Sequence, residues 1–493
     1  MSWPQAVNLA LGGLPLKDAL TEDTKRDVEH IVKEVSLDVL LKCIHQRAHA
    51  AALISRMGSM QKDELNQCLS EVLQQLELPT MEWIWYPDEV TMQTPEYSKQ
   101  MEFKQRAQVL LILLGELITT LGCDGTAQCL GQYSMVTPWC DSECVTISKS
   151  IIDSSSFKEE ELQKVIATIQ TDMKTLPKPS KVSQAGYKKI AYSNQSALRP
   201  RLGFGVEEDS RAQWKTSHIR AIPHTAFLIQ QLSSKGIKDN WWIISPTILN
   251  ILDDHDASIK LCGVHLLSYL LDSVSPDYLK LTGLFQIFYD AMKPLLTYLP
   301  DLTPTPLSVQ IMETLYPTLL KLFKAVSTPE EYNVRIIELI TDGIFFSLNA
   351  IRDHFKILEV LLQQLQVLIT ELKSTTIKIL PRLVYNLGMV ISDPFIDLHE
   401  SLFYRGMEVL ITTELNCWER LDGHKYDLLG FCVLSWKREQ KSDRVSRKIK
   451  AATVLLDRIV GITDEDWDEL IRLDGAVEDL KTLVKSSTTN SLT

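Results

Sequence analysis

Several groupings in this 493-residue chain have residue types that could do chemistry. Asp253, Asp254, His255 and Asp256 place three carboxylates beside an imidazole, groups that bind divalent cations or exchange protons. They are consecutive, however, and no second acidic cluster offers distinctive ligand spacing. The competing reading is a tight turn in which Asp254 or Asp256 accepts the orphan N–H groups of a following helix. Cys123, Cys129, Cys140 and Cys144 could hold zinc as four thiolates, but their spacings fit no standard ribbon or finger, and buried or free thiols are the alternative. His45 and His49 stand one helical turn apart, as in a two-histidine metal pair. Without an accompanying Glu motif they read as a half-buried helix face. Arg444, Arg447 and Lys448 share one helix face within the only strongly basic run. That face either steers an acidic partner or is simply solvated. No aromatic residues interleave with it, which argues against nucleic acid. Gly203-Phe204-Gly205 lacks the Lys-Ser/Thr of a phosphate loop, and neither a nucleophile elbow nor a kinase signature is present. Catalysis therefore has no support.

The acidic turn needs two helices to hold it. Ser245 followed by Pro246 has the form of a helix cap with proline at the first position. Ile248, Leu249, Ile251 and Leu252 make that helix apolar on one side. Beyond the turn, Ile259, Cys262, Leu266, Leu267 and Leu270 recur at helical spacing, while Lys260, Ser268 and Asp272 fall off the stripe. A hairpin with one apolar side cannot bury it alone; stacking on further hairpins can.

The rest of the chain supplies such hairpins. Leu37, Leu40, Leu41, Ile44 and Ala48 share a helix face, and helices follow over 61–76 and 101–120. Gly122 to Cys144 reads as irregular. Ser156 and Glu159 form a capping box for a helix through Met173. Residues 177–213 scatter Pro, Gly and Ser without a helical period and read as a linker or long surface loop. From Trp214 onward nearly everything is helical. Thr328, Pro329 and Glu331 combine a cap, a first-position proline and a capping-box acid, and Pro317 interrupts the helix before them. The expectation is an all-α, HEAT-like α-solenoid of stacked helical hairpins. It would comprise an N-terminal helical region (1–176), the linker (177–213) and a helical-repeat domain (214–493). A net charge of -12 disfavours general affinity for nucleic acid or anionic membranes, and nine cysteines without a compact framework suit a reducing compartment. The N-terminus lacks a basic start, and the most apolar run, Val109 to Gly115, is far short of the ~20 residues that span a bilayer. A soluble protein of cytoplasm and nucleus is expected, with no cofactor.

The hairpin also carries a resemblance. Pro246, Leu249, Leu252, Asp253, Asp254, Lys260, Leu261, Gly263, Leu266 and Leu267 match, position by position, the signature of the second Tel-two-interacting protein family, in its fungal type. The run through Tyr298, Leu299 and Pro300 is similar too. So are Arg199-Pro200-Arg201-Leu202 and Trp214-Lys215. The resemblance covers about residues 195 to 400. It implies a non-catalytic helical-repeat scaffold, the smallest subunit of the Triple T complex. Its partners would be the Tel-two protein and the first Tel-two-interacting protein and, indirectly, the ninety-kilodalton heat-shock chaperone system. The clients would be phosphatidylinositol-kinase-related kinases of the TOR and ATM/ATR types, with consequences for growth signalling, DNA-damage response and telomere maintenance. In that light Pro246, Asp253, Asp254, Asp256, Lys260 and Gly263 are expected to cap and lock the hairpin turn rather than to react.

Overall fold

The computed structural model describes residues 30–176, 181–189, 204–438 and 441–489; Arg199–Leu202 lies outside them. Among the described residues the chain is helical, with only two isolated antiparallel bridges, Thr137–Cys140 and Val182–Lys188. It divides into two compact units, Met1–Ile287 and Phe288–Thr493.

The first unit opens with α1 (Leu37–Lys42) and α2 (Arg47–Arg56). The single helix face expected to carry His45 and His49 is broken here. The Cys43 and Gln46 N–H groups bond to Leu40 and Cys43, and α2 turns away to bury Ala50 through Ile54. Next come α3 (Lys62–Gln75), α4 (Pro95–Leu121), α5 (Ala127–Gly131) and α6 (Ser142–Ser154). Helix α4 starts earlier than its apolar pattern suggests, because Thr94 accepts the Tyr97 N–H and Pro95 fits the first position. Val109 through Leu114 are all buried, so this helix is covered on several sides. The 122–144 stretch is less irregular than expected, containing α5 and the start of α6. Trp83 packs on Phe103 and Trp139 at ring distances of 5.8 and 4.9 Å. Helix α7 (Glu159–Met173) begins without the Ser156–Glu159 box. Its preceding residues stay extended so that Phe157 can meet Phe227 edge-on at 5.4 Å.

Helices α8 (Phe204–Ser217), α9 (Ala221–Gln231), α10 (Ser234–Asp239), α11 (Trp241–Leu252), α12 (Ala257–Ser273) and α13 (Pro276–Thr282) follow. Helix α9 lies between α7 and α12, and α11 pairs with α12. The stretch expected as a linker is docked where it is described. Gly186, at φ 80°, turns a short loop whose carbonyl accepts both the Trp241 indole N–H (2.9 Å) and the Ser245 hydroxyl (3.0 Å). The Lys188 N–H bonds to the Thr282 carbonyl, and the Tyr187 and Tyr278 hydroxyls meet at 3.0 Å. Helix α8 already begins at Phe204, inside the expected linker.

Helix α14 (Phe285–Met292) contains the boundary between units. The second unit continues through α15 (Thr305–Val326), α16 (Pro329–Glu338), α17 (Phe346–Ala350), α18 (Phe355–Leu372) and α19 (Leu380–Ile391). It ends with α20 (Glu400–Cys417), α21 (Lys425–Trp436), α22 (Asp443–Val460), α23 (Asp464–Leu473) and α24 (Val477–Thr489). Helices α15, α18, α20, α22 and α24 pack side by side in a row, with α19 and α21 laid on it. This side-by-side packing of hairpins is the α-solenoid pattern. Pro317 sits inside α15. The Thr328–Glu331 capping box is formed, and a wide-turn segment, Leu339–Phe345, joins α16 to α17. Gly343 in that segment lies under Tyr316: an added Cβ would be 2.9 Å from its hydroxyl.

Candidate functional site

The acidic turn joins α11 to α12, and the local rules explain its form. Asp256 is the N-cap of α12, its carboxylate accepting the Ser258 N–H at 2.9 Å. Asp254 Oδ1 accepts the Asp256 N–H at 2.8 Å, closing the turn on itself. Lys260 reaches back from the first turn of α12 and donates to the Leu252 carbonyl at 2.8 Å, satisfying the end of α11. Gly263 lets the two helices touch: a Cβ there would lie 2.8 Å from Leu252 Cγ and 3.0 Å from its backbone nitrogen.

Asp254 is only 2 % exposed and its charge is compensated from α8. Lys215 Nζ approaches Oδ1 at 2.9 Å and Arg211 Nη1 approaches Oδ2 at 3.2 Å. Lys215 also lies 3.6 Å from Asp256. Burial alone would raise the Asp254 carboxyl, but the Asp256 N–H, Lys215 and Arg211 outweigh it and hold it below the ordinary carboxylate value. Burial pulls the Lys260 ammonium below its usual value, opposed by Asp253 and Asp254. Both carboxylate oxygens of Asp254 thus have partners within the protein.

Of the expected turn residues, Asp254, Asp256, Lys260 and Gly263 act together, whereas Asp253 and His255 are exposed. Pro246 does not open its helix. The helix begins at Trp241, and Ser245 bonds to Gly186 and to the Trp241 carbonyl instead of capping. The tertiary bond to the docked loop outcompetes the local cap. Arg211 and Lys215 were not visible as turn partners. Their spacing of four along a helix otherwise acidic at its start was the available signal.

The other groupings do not assemble. Cys123 donates to the Ser156 carbonyl, Cys140 and Cys144 are buried, and burial pushes the Cys129 thiol up to about 12. Among the described residues no three His, Cys, Asp or Glu side chains gather as a metal would require. Arg444 and Lys448 are turned onto one ring of their own chain. They sit 3.8 and 5.0 Å from the centroid of Tyr404, and Lys448 also pairs with Glu408 at 3.2 Å. Arg447 donates to the Asp443 carbonyl. Of the conspicuous tryptophans, Trp241 is core at 1 % exposure, whereas Trp242 and Trp418 reach the surface. No described helix is long and apolar enough to cross a membrane.

Stacked helical hairpins, one of them locked by a buried ion cluster, define an α-solenoid helical-repeat protein. The chain belongs to the Tti2 family, whose model matches residues 126–398, including α8 and the whole locked hairpin. It is 25% identical over 272 residues to the TEL2-interacting protein 2 of Saccharomyces cerevisiae, covering 51% of this chain and 64% of that protein. The chain therefore spans just under two thirds of that relative's length. In architecture it is similar to the crystal structure of Kap121p, with a TM-score of 0.40 at 12% identity over 97% of this chain and 47% of that one. For Kap121p bound to Nup53p the values are 0.41, 11%, 96% and 47%.

Proposed function

We propose that this chain is a non-catalytic scaffold subunit of a Triple T-type complex, held by a Tel-two protein and a first Tel-two-interacting protein. The observation that carries the reading is the family match over residues 126–398, which includes the α8–hairpin lock. The name of the Saccharomyces cerevisiae relative supports it. The physics fits a scaffold. Each hairpin is braced by its neighbours, so the array presents a persistent surface rather than a reactive pocket. Affinity in such an assembly comes from a few apolar or aromatic anchors, and Trp242 and Trp418 are the exposed tryptophans named above. Acting with the ninety-kilodalton heat-shock chaperone system, the complex would support maturation of phosphatidylinositol-kinase-related kinases of the TOR and ATM/ATR types, in cytoplasm and nucleus. Neither nucleic acid nor membrane is part of this reading.

The test is purification of the tagged chain from its own cells, followed by mass spectrometry and depletion. Two large helical-repeat partners of the Tel-two and first Tel-two-interacting types should co-elute in near-equal amounts, and depletion should lower kinase levels without lowering their transcripts. Elution alone would overturn the Triple T-type reading, and elution with transport cargo would favour a different solenoid adaptor role.

A further inference from the structure

One cleft lies wholly within the second unit, between the wide-turn segment Leu339–Phe345, α17 and the start of α19. It has a volume of about 380 Å³ and is lined by Thr341, Phe345, Phe346, Asn349, Ala350 and Arg382. A helix that widens for one turn often marks a functional place. Here the chain leaves the wide turn with Phe345 in the core at 1 % exposure and Phe346 in the open at 53 %. Tyr385, one turn beyond Arg382 on α19, is 62 % exposed.

The charge at this face is one-sided. Arg382 is the only charged residue in the lining. Its guanidinium stands 5.5 Å from the centroid of the Phe345 ring, which holds one side of it, and it pairs with no carboxylate among the described residues. Asp342, the acid next in sequence to Thr341, takes the Thr341 hydroxyl and is not part of the lining. Asn349 Nδ2 donates to the Phe345 carbonyl at 2.7 Å and to Asn386 Oδ1 at 2.8 Å, which fixes the amide beside Arg382. Between Glu371 and Asp393 the chain has Lys373, Lys378 and Arg382 and no acid, although its net charge is -12. Lys373 acts on Glu371, which leaves Lys378 and Arg382, both exposed. Helix α19 also opens without an acid in its first turn, so the positive end of its dipole adds to these cations.

We infer that this face docks an acidic, amphipathic helix of a partner protein. A leucine or larger apolar side chain of that helix enters the cleft against Phe346 and Ala350. A carboxylate one turn away takes the free N–H edges of Arg382, and a second meets Lys378. Arg382 and Tyr385 stand at the spacing with which a partner helix presents its own side chains, so successive turns of the partner meet them in register. Opposite charge steers the helix in, and the apolar contact holds it. Nucleic acid is disfavoured, because two cations supply little of the phosphate neutralisation that its binding requires. The inference goes beyond the scaffold reading and does not rest on it, since it concerns one cleft and one helix chemistry.

The experiment selects helical peptides, displayed on phage and randomised on one face, against the full-length protein, with the Arg382→Glu protein as counter-selection. Enriched peptides are then synthesised and titrated by fluorescence anisotropy. The expected winners carry a leucine or aromatic with Asp or Glu three or four positions away. They should weaken about tenfold or more on Arg382→Glu, as expected for a paired charge. Phe346→Ala should weaken them too, and exchanging the acids of the peptide for lysines should restore binding to the Arg382→Glu protein. Thermal melts establish that each variant is folded; Arg382→Gln, which keeps the stem of the side chain, makes the same comparison if the reversal does not fold. The proposal is overturned if no acidic, apolar helices are enriched, if basic ones are, or if the winners bind the folded variants as tightly as wild type. A labelled single-stranded oligonucleotide that binds wild type and is lost with Arg382→Glu would assign the cations to nucleic acid and overturn it as well.

Discussion

Lys215 Nζ stands 2.9 Å from Oδ1 of Asp254, a carboxylate that is 2 % exposed. The pair ties α8 to the turn between α11 and α12, with Arg211 on the other oxygen. The turn therefore depends on a helix outside the hairpin.

Asp254→Asn should cost about 3 kcal/mol, because two cations lose a buried counter-charge. Lys215→Met should cost less, since Arg211 remains. The double variant should show clear coupling in urea unfolding. The Asp254 carboxyl is held below its ordinary value, so its contribution is complete above the unfolded pKa and is lost as pH falls through the folded one. The variant should accordingly lose the steepest part of the acid limb. Identical midpoints for wild type and Asp254→Asn would remove the lock.

Two glycines should respond oppositely to alanine. Gly263→Ala forces a Cβ onto Leu252 and should destabilise by about 1–3 kcal/mol, as overpacking does. Gly430→Ala, inside α21 with nothing within 4 Å of the added atom, should stabilise by up to about 1 kcal/mol. Paired thermal melts decide; a tolerated Gly263→Ala would mean that α11 and α12 can slide apart.

Glu414 on α20 is fully buried, and neither carboxyl oxygen has a hydrogen-bond partner among the described residues. Burial raises its pKa well above the usual value. The folded state thus holds this proton more tightly, and stability present at acid pH drains away as pH rises from the unfolded pKa toward the folded one. Glu414→Met should raise stability at pH 8 by about 1–3 kcal/mol by removing an unsatisfied buried group. It should also flatten the loss between pH 5 and pH 8. A wild-type urea midpoint that climbs over that interval, with the same slope in the variant, would contradict this.

Arg444 and Arg447, neighbours on one face of α22, should separate in stability. Arg444→Ala loses the stack on Tyr404 and should cost about 0.5–1 kcal/mol. Arg447→Ala loses only a contact to its own helix and should leave the melt unchanged. Equal effects would show that the ring contact contributes nothing.

Much of the architecture was legible because it is periodic. Ile259, Cys262, Leu266 and Leu270 repeat at helical spacing, so α12 could be read directly, and Thr328-Pro329-Glu331 announced α16 through bonds made within four residues. The misreadings share a cause. Ser245 and Ser156 both have the chemistry of caps, but each lies where a distant group competes: the Gly186 carbonyl for Ser245, and Phe227 for the extended residues after Ser156. Likewise the 177–213 stretch has a linker's composition, yet Tyr187 and Lys188 find partners on α13.

Helical class, the capped acidic turn and the family signature follow from residues close together in the chain, because helix periodicity, N-caps and short turns are local interactions. The charge balance at Asp254, the stacking of Arg444 and Lys448 on Tyr404 and the burial of Glu414 depend on which helices become neighbours. Packing settles that collectively, by burying apolar faces that any of several hairpins could have covered, and the charges then take the partners that packing leaves within reach.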